Sequence, residues 1–175
     1  MFTNLQDSEA KILTCFHAKD NRGSFQKLFQ QSWFSEFQDF SPKESYISNS
    51  KPNVLRGFHL QVNESSHRKL CSCLKGKVLD VIVDLRVGIN FGKTYSTVLD
   101  SKKHNAIFIP KGYGHAFLNI SKEDADVIYF VETEHNQNHD VGVLWNSVNF
   151  EWPINEPILS ERDKLHPSIK NFSPI

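Results

Sequence analysis

The chain has no hydrophobic run long enough to cross a membrane, and it carries no net charge, with 20 Lys plus Arg against 20 Asp plus Glu. The first absence argues against a membrane-spanning segment. The second removes the basic field that attracts polyanions, so no nucleic-acid partner is expected, although local cations can still grip a phosphate. Within Met1 to Thr14, Asp7, Glu9 and Lys11 stand where a signal peptide would be apolar. Cysteine is scarce and odd in number, with 3 residues and no His or Cys partners at metal-ligand spacing. Cys71 and Cys73, one residue apart, fall on one face of a strand as small apolar fillers. These features point to a reduced, cytoplasmic protein without a structural metal. What is plentiful is Phe, 14 of them beside 3 Trp, which suits an aromatic-rich β core or interface. A length of 175 residues is most simply one domain, spanning 1–175.

Along the chain, short apolar-alternating segments are separated by turn residues. Lys11 to His17 reads as a first strand, followed by the turn Asp20-Asn21-Arg22-Gly23 and a weak strand from Ser24 to Phe29. Gln31 to Gln38 suits a short helix capped by Ser32. Strands are expected over Glu44–Ser50, Val54–Gln61, Arg68–Leu74, Val78–Leu85, Thr94–Leu99, Asn105–Ile109, Ala116–Ile120, Val127–Thr133 and Val141–Trp145. The near-continuous apolar run Val78–Leu85 marks a strand buried on both faces. After Asn146, Pro153, Pro157, Pro167 and Pro174 exclude long regular elements. Many short strands with few helices predict an all-β antiparallel sandwich or barrel of jelly-roll type, with short peripheral helices.

Two stretches set polar groups among apolar ones. In Val54-Leu55-Arg56-Gly57-Phe58-His59-Leu60-Gln61, strand alternation puts His59 and Gln61 on one face and Phe58 and Leu60 on the other. Gly57 permits a bulge that re-aims Arg56 toward the side of His59. Downstream, Pro110-Lys111-Gly112-Tyr113-Gly114-His115-Ala116-Phe117 repeats the theme. The plainer alternative is a half-buried strand with its polar residues in solvent.

The spacing Pro110-x-Gly112-x-x-His115-x-x-x-Asn119 resembles the second cupin motif, and Lys75-Gly76-Lys77-Val78 looks like the glycine turn that closes the first. Seven pieces in order resemble the dTDP-4-dehydrorhamnose 3,5-epimerase family: Asp20-x-Arg22-Gly23, Val54 to Gln61, Lys69-Leu70, Asp80 to Arg86, Phe91-Gly92-Lys93, Ile109 to Phe117 and Pro157 to Asp163. The resemblance implies a cupin double-stranded β-helix that forms a homodimer. It also implies an active site inside the barrel without metal or organic cofactor, and a nucleotide-linked 4-keto-6-deoxy sugar as substrate. Carbons 3 and 5 of such a sugar are both α to the C4 ketone, so loss of either proton gives an enolate. Epimerisation then needs a base on one face, charge stabilisation at the ketone oxygen and an acid on the opposite face.

On this resemblance His59 matches the general base and Asp163 the carboxylate that orients it, which requires the proline-rich tail to fold back over the barrel. Lys69 and Arg56 match cations beside the enolate and pyrophosphate. His115 matches a second active-site histidine, and Gln61, Glu44 and Tyr46 fall at substrate-binding positions. Arg22 and Phe25 match nucleotide-contacting positions that reach the partner subunit's site. Each has a blander alternative: a surface acid for Asp163, an edge charge for Lys69, a core histidine for His115, a turn residue for Arg22 and a core aromatic for Phe25.

Three departures stand out. A gap-free alignment of Tyr129 through Trp145 puts His135 where the family carries its catalytic tyrosine. Either His135 is the replacement acid, or reprotonation is lost at one carbon, or His135 is merely a loop residue. Glu44 stands where the family usually has Gln, and Tyr46 where it has Asn. Lys27 falls where the family often has Glu. Two other classes remain open at this stage. A metal cupin would draw on His59, Glu64 and His115, with Gln61 in place of the usual second imidazole. A sugar-nucleotide binding protein would keep the pocket without the acid.

Overall fold

The computed structural model describes residues 2–37 and 40–175. Two sheets, antiparallel throughout, face one another. One has six strands: β1 (Phe2–Asn4), β2 (Lys11–Thr14), β10 (Asn105–Ile109), β7 (Lys69–Lys75), β12 (Ala125–Val131) and β5 (Glu44–Ser50), in that spatial order. The other has five: β13 (Asp140–Gly142), β6 (Leu55–Gln61), β11 (Tyr113–Asn119), β8 (Lys77–Asp84) and β9 (Thr94–Asp100). A separate hairpin pairs β3 (Phe16–Asp20) with β4 (Gly23–Lys27). This is the jelly roll that the strand pattern predicts. Among the described residues no helix is long and apolar enough to cross a membrane.

Alternation along each strand divides the chain into three apolar layers. In β8, Val78 and Ile82 enter the core between the sheets, together with Cys71, Cys73, Ile107, Phe117 and Val127. Val81 and Val83 point the other way, into a layer built with Leu55, Phe58, Leu60 and Trp152. Asp80 shares the inward face of β8 and is fully buried there. The outer face of the six-stranded sheet is covered by the 3-10 helix Gln31–Phe37, where Phe34 and Phe40 lie 4.9 Å apart and Phe40 meets Phe108 at 5.2 Å. Each such ring pair adds roughly 0.5–1.5 kcal/mol beyond its area. Phe2, Phe29, Phe34, Phe40, Phe108 and Phe130, 6 of the 14 Phe, gather in this one aromatic plug.

The departures from the expected strands are local. The first predicted strand is two, because Cys15 leaves the ladder and the chain turns into the β3–β4 hairpin. Strand β1 has no counterpart in the expectations, and β11 starts three residues early, at Tyr113. The predicted helix Gln31 to Gln38 is a 3-10 turn through Phe37, and Gln38 lies outside the described residues. The tail carries only the four-residue helix α1 (Glu161–Lys164) and a 3-10 turn at Ile169–Asn171.

The bulge at Gly57 is present. Strand β6 pairs His59 with His115 but Arg56 with Phe117, so β6 holds one residue more than β11 across this interval. The extra residue brings Arg56 and His59 to the same side. Gly57 has φ +117°, and a Cβ there would sit 2.5 Å from the His115 carbonyl oxygen. Gly57→Ala should therefore destabilise the fold by roughly 3 kcal/mol, through strain and overpacking together, read as a lowered midpoint in urea.

Candidate active site

The inward-facing polar residues of β5, β6, β7, β11 and β12 line one two-lobed cavity. Its outer lobe, about 330 Å³, is lined by Glu44, Gln61, His67, His135, Asp140 and Arg162 among others. Its inner lobe, about 200 Å³, is lined by Ser48, Arg56, His115, Phe117 and Tyr129. Tyr46, His59 and Lys69 border both lobes.

His59 lies on the five-stranded sheet, and the tail reaches back to it. Leu55 donates its N–H to the carbonyl of Ile158 at 3.0 Å, and Ser160 caps the turn that follows by accepting from the Asp163 N–H at 3.1 Å. Asp163 is thereby buried beside the bulge. Its Oδ1 lies 2.6 Å from His59 Nε2, and its Oδ2 accepts from the Gly57 N–H at 3.3 Å. Burial alone would push the Asp163 carboxyl up, but His166, His59 and the Gly57 amide hold it well below the usual carboxylate range. An ionised Asp163 fixes the proton on His59 Nε2 and leaves the lone pair on Nδ1. Burial pulls the His59 imidazole below its ordinary value, outweighing the upward pull of Asp163. The result is a half-buried, neutral imidazole held in one orientation.

On the facing sheet, Lys69 is buried, and its side chain makes no hydrogen bond or ion pair among the described residues. Burial draws its ammonium below the ordinary lysine value, against the pull of Cys71, Asp140 and Asp80. Tyr129 stands on the same sheet, opposite Tyr46 in register and stacked on it at 4.7 Å. Its ring meets His115 edge-on at 5.9 Å. Burial raises the Tyr129 phenol well above its ordinary value, so it keeps its proton at neutral pH. His115 lines the inner lobe, and its Nε2 lies 2.8 Å from Oδ2 of the buried Asp80.

At the rim, Asp140 Oδ2 takes Arg162 at 2.7 Å and His135 Nε2 at 3.0 Å. His135 borders the outer lobe but is more than half exposed, and its backbone N–H donates to Glu44 at 2.8 Å. Gln61 accepts from the Asn136 N–H at 3.1 Å, so Glu44 and Gln61 both pin this loop. Arg56 is held at the mouth by Ser50 and the Asn49 carbonyl, each at 2.9 Å. The residues expected of a metal cupin do not converge: Glu64 is exposed and faces His139, and His115 faces Asp80. His59, Asp163 and His166 do place one ligand-type atom each within 4.8 Å of one another, with a direct hydrogen bond between the first two.

A match to the dTDP-4-dehydrorhamnose 3,5-epimerase family covers residues 4–171. The chain belongs to this family. It is an isomerase of the epimerase class. Among relatives of this epimerase, the dTDP-4-dehydrorhamnose 3,5-epimerase of Mycolicibacterium smegmatis is 36% identical over 154 residues, covering 86% of this chain and 76% of that one. The Legionella pneumophila dTDP-6-deoxy-D-glucose-3,5-epimerase, solved with dTDP-4-keto-L-rhamnose, superposes with TM-score 0.90 at 28% identity, covering 99% and 94%. A double mutant of the 3′-monoepimerase of Streptomyces bikiniensis, solved with dTDP, superposes with TM-score 0.89 at 25% identity, covering 95% and 86%. In that double mutant a histidine and a tyrosine 70 positions apart are replaced together.

The epimerase's fold thus gathers most of the residues that the sequence singles out: His59, Asp163, Lys69, His115, Arg56, Gln61, Glu44, Tyr46 and His135 all reach the cavity or its rim. Arg22 and Phe25 do not. They sit on the exposed β3–β4 hairpin, where Arg22 pairs with Asp20 at 2.6 Å and Phe25 meets Phe16 at 6.3 Å. Sequence reasoning set Tyr129 aside as several residues out of register with the family's tyrosine, and it passed over His67, Asp140, Arg162 and His166. His67 and Arg162 had a faint signal, lying two residues from Lys69 and one from Asp163.

Proposed function

We propose that this epimerase acts on a nucleotide-linked 4-keto-6-deoxy sugar, with the sugar in the inner lobe and the nucleotide in the outer one. The observation that carries the reading is that the base and a protonated phenol stand on opposite walls of one cavity. His59 Nδ1 takes the proton from a carbon α to the C4 ketone, and Asp163 steadies the imidazolium that forms. Lys69, whose ammonium has no protein partner among the described residues, stabilises the enolate oxygen. Tyr129 gives its proton to the same carbon from the other face, and solvent restores both groups. Arg56 and Arg162 suit the two phosphates.

This assignment moves the acid from His135 to Tyr129. His135 is an exposed rim residue tied to Asp140, whereas Tyr129 is buried in the sugar lobe. His59 and Tyr129 are also 70 positions apart, the same separation as the replaced pair in the Streptomyces bikiniensis monoepimerase. The homodimer is part of the proposal. In that dimer the exposed Arg22 and Phe25 would complete the outer lobe of the second copy, the guanidinium against phosphate and the ring against the base; their exposure on the hairpin supports this. Glu44 favours a hydroxyl or amine over a phosphate, so the nucleotide is tested with dTDP, GDP and CDP sugars.

The test is proton NMR of these sugars in deuterated water. Loss of signal at H3, H5 or both supports the reading and names the carbon. No loss with any of them overturns it in favour of a binding protein. The reaction needs neutral His59, and burial places this imidazole below its ordinary value near 6.5. The exchange rate should therefore hold level as pH falls to 6.5 and drop only below it, as read from a pH–rate profile.

A further inference from the structure

His166 is a buried imidazole that nothing in the mechanism uses. It follows α1, only three residues beyond Asp163, and its side chain is 10% exposed. Among the described residues its Nε2 has no hydrogen-bond partner, and it lies 3.7 Å from Asp163 Oδ1, the oxygen that already holds His59 Nε2 at 2.6 Å. The two imidazoles meet edge to face with centroids 5.5 Å apart. The ring has little room to leave. A Cβ at position 142 would lie 2.7 Å from its Cε1 and Nε2, so Gly142 is the residue type that lets it in. Behind it, the Pro167 carbonyl accepts from the Leu144 N–H at 2.8 Å and ties the segment to the barrel wall.

We propose that His166 is a positioning residue for the reaction, sharing the Asp163 carboxylate with His59 and so setting the proton affinity of the base. The inference rests on His59 as the base. A lone Asp–His pair places the full acceptor strength of the carboxylate on one imidazole and makes it more basic. A second N–H donor at the same oxygen divides that strength, whether His166 is neutral or charged. His59 then stays neutral at lower pH, and Asp163 stays ionised in a buried site. A separation of 3.7 Å exceeds a hydrogen bond as it stands. A small turn of either ring closes it, since catalytic hydrogen bonds commonly tighten as the site reacts. The other titratable and charged groups around His59 are Glu44, His67, His135, Asp140 and Arg162 in the outer lobe, Arg56, His115 and Tyr129 in the inner one, and Lys69 and Tyr46 in both, and none of them has a hydrogen bond or ion pair to His166 among the described residues.

The test reads His59 directly, without substrate. The His59 ring is followed by NMR through a pH titration in the full-length wild type, His166→Phe and His166→Asn. Removing the second donor with His166→Phe should raise the His59 midpoint by about half a pH unit or more. His166→Asn, which keeps an N–H donor, should leave it nearer the wild type. If the phenylalanine variant does not fold, the asparagine variant with its NH group at a different reach should still show a smaller upward shift. An unchanged midpoint in every folded variant overturns the proposal. Ring-proton exchange by the wild type is scored separately, so failure of the epimerase reading appears as no exchange whatever the titration gives.

Discussion

His59→Asn should lower ring-proton exchange by about 10²–10⁴-fold, the range that one positioned general base contributes. The substitution is chosen for what it preserves. An asparagine amide can still donate to Asp163 Oδ1, the partner that His59 Nε2 holds at 2.6 Å, so the buried carboxylate keeps a donor besides the Gly57 amide. The bulge and the fold of the tail over the barrel should survive, with a melting temperature near that of the wild type. What is lost is the lone pair on Nδ1. Nucleotide-sugar binding should remain, because Arg56, Arg162 and Lys69 are untouched. A variant that binds, folds and no longer exchanges places His59 at the chemistry. A fully active variant would remove the base from the mechanism.

Much of this arrangement was legible in the sequence, and the reasons are local. Alternation put His59 and Gln61 on one face, and Gly57 signalled the bulge that swings Arg56 beside them. The limits of β5 and β10 coincide with the strands read between clear turns in the sequence. Asp163 was a different matter. Nothing local marks it, and only a resemblance across the whole chain joined it to a histidine 104 residues away. Tyr129 was missed for the opposite reason. As a strand aromatic it looks like core, and its functional surroundings come from pairing with Tyr46 on β5 and facing His115 on the other sheet. Reading the downstream loop without gaps then drew attention to His135. Arg22 and Phe25 leave the cavity because their hairpin is a sheet of its own, which alternation along a strand cannot reveal.

Tyr129→Phe should separate the two halves of the reaction. The phenylalanine ring keeps the stack on Tyr46 and the edge contact with His115, so packing changes by one hydroxyl in a buried lobe. With His59 intact, enolisation continues, and deuterium can still return to the carbon from the His59 side. Exchange should fall only modestly, whereas inversion should fall by about 10²-fold or more for want of an opposite-face acid. His135→Gln is the control. Its ring lies at the rim on Asp140, which keeps Arg162 at 2.7 Å, and its backbone bond to Glu44 does not depend on the side chain. That variant should invert the sugar within a few-fold of the wild type. The reverse outcome, with inversion lost in His135→Gln and kept in Tyr129→Phe, would return the acid to the rim. It would also require the loop after β12 to close over the sugar, since the His135 side chain is more than half exposed at the rim. Scoring exchange and coupling constants in the same spectra decides between them, because a lost acid and a lost base leave different products.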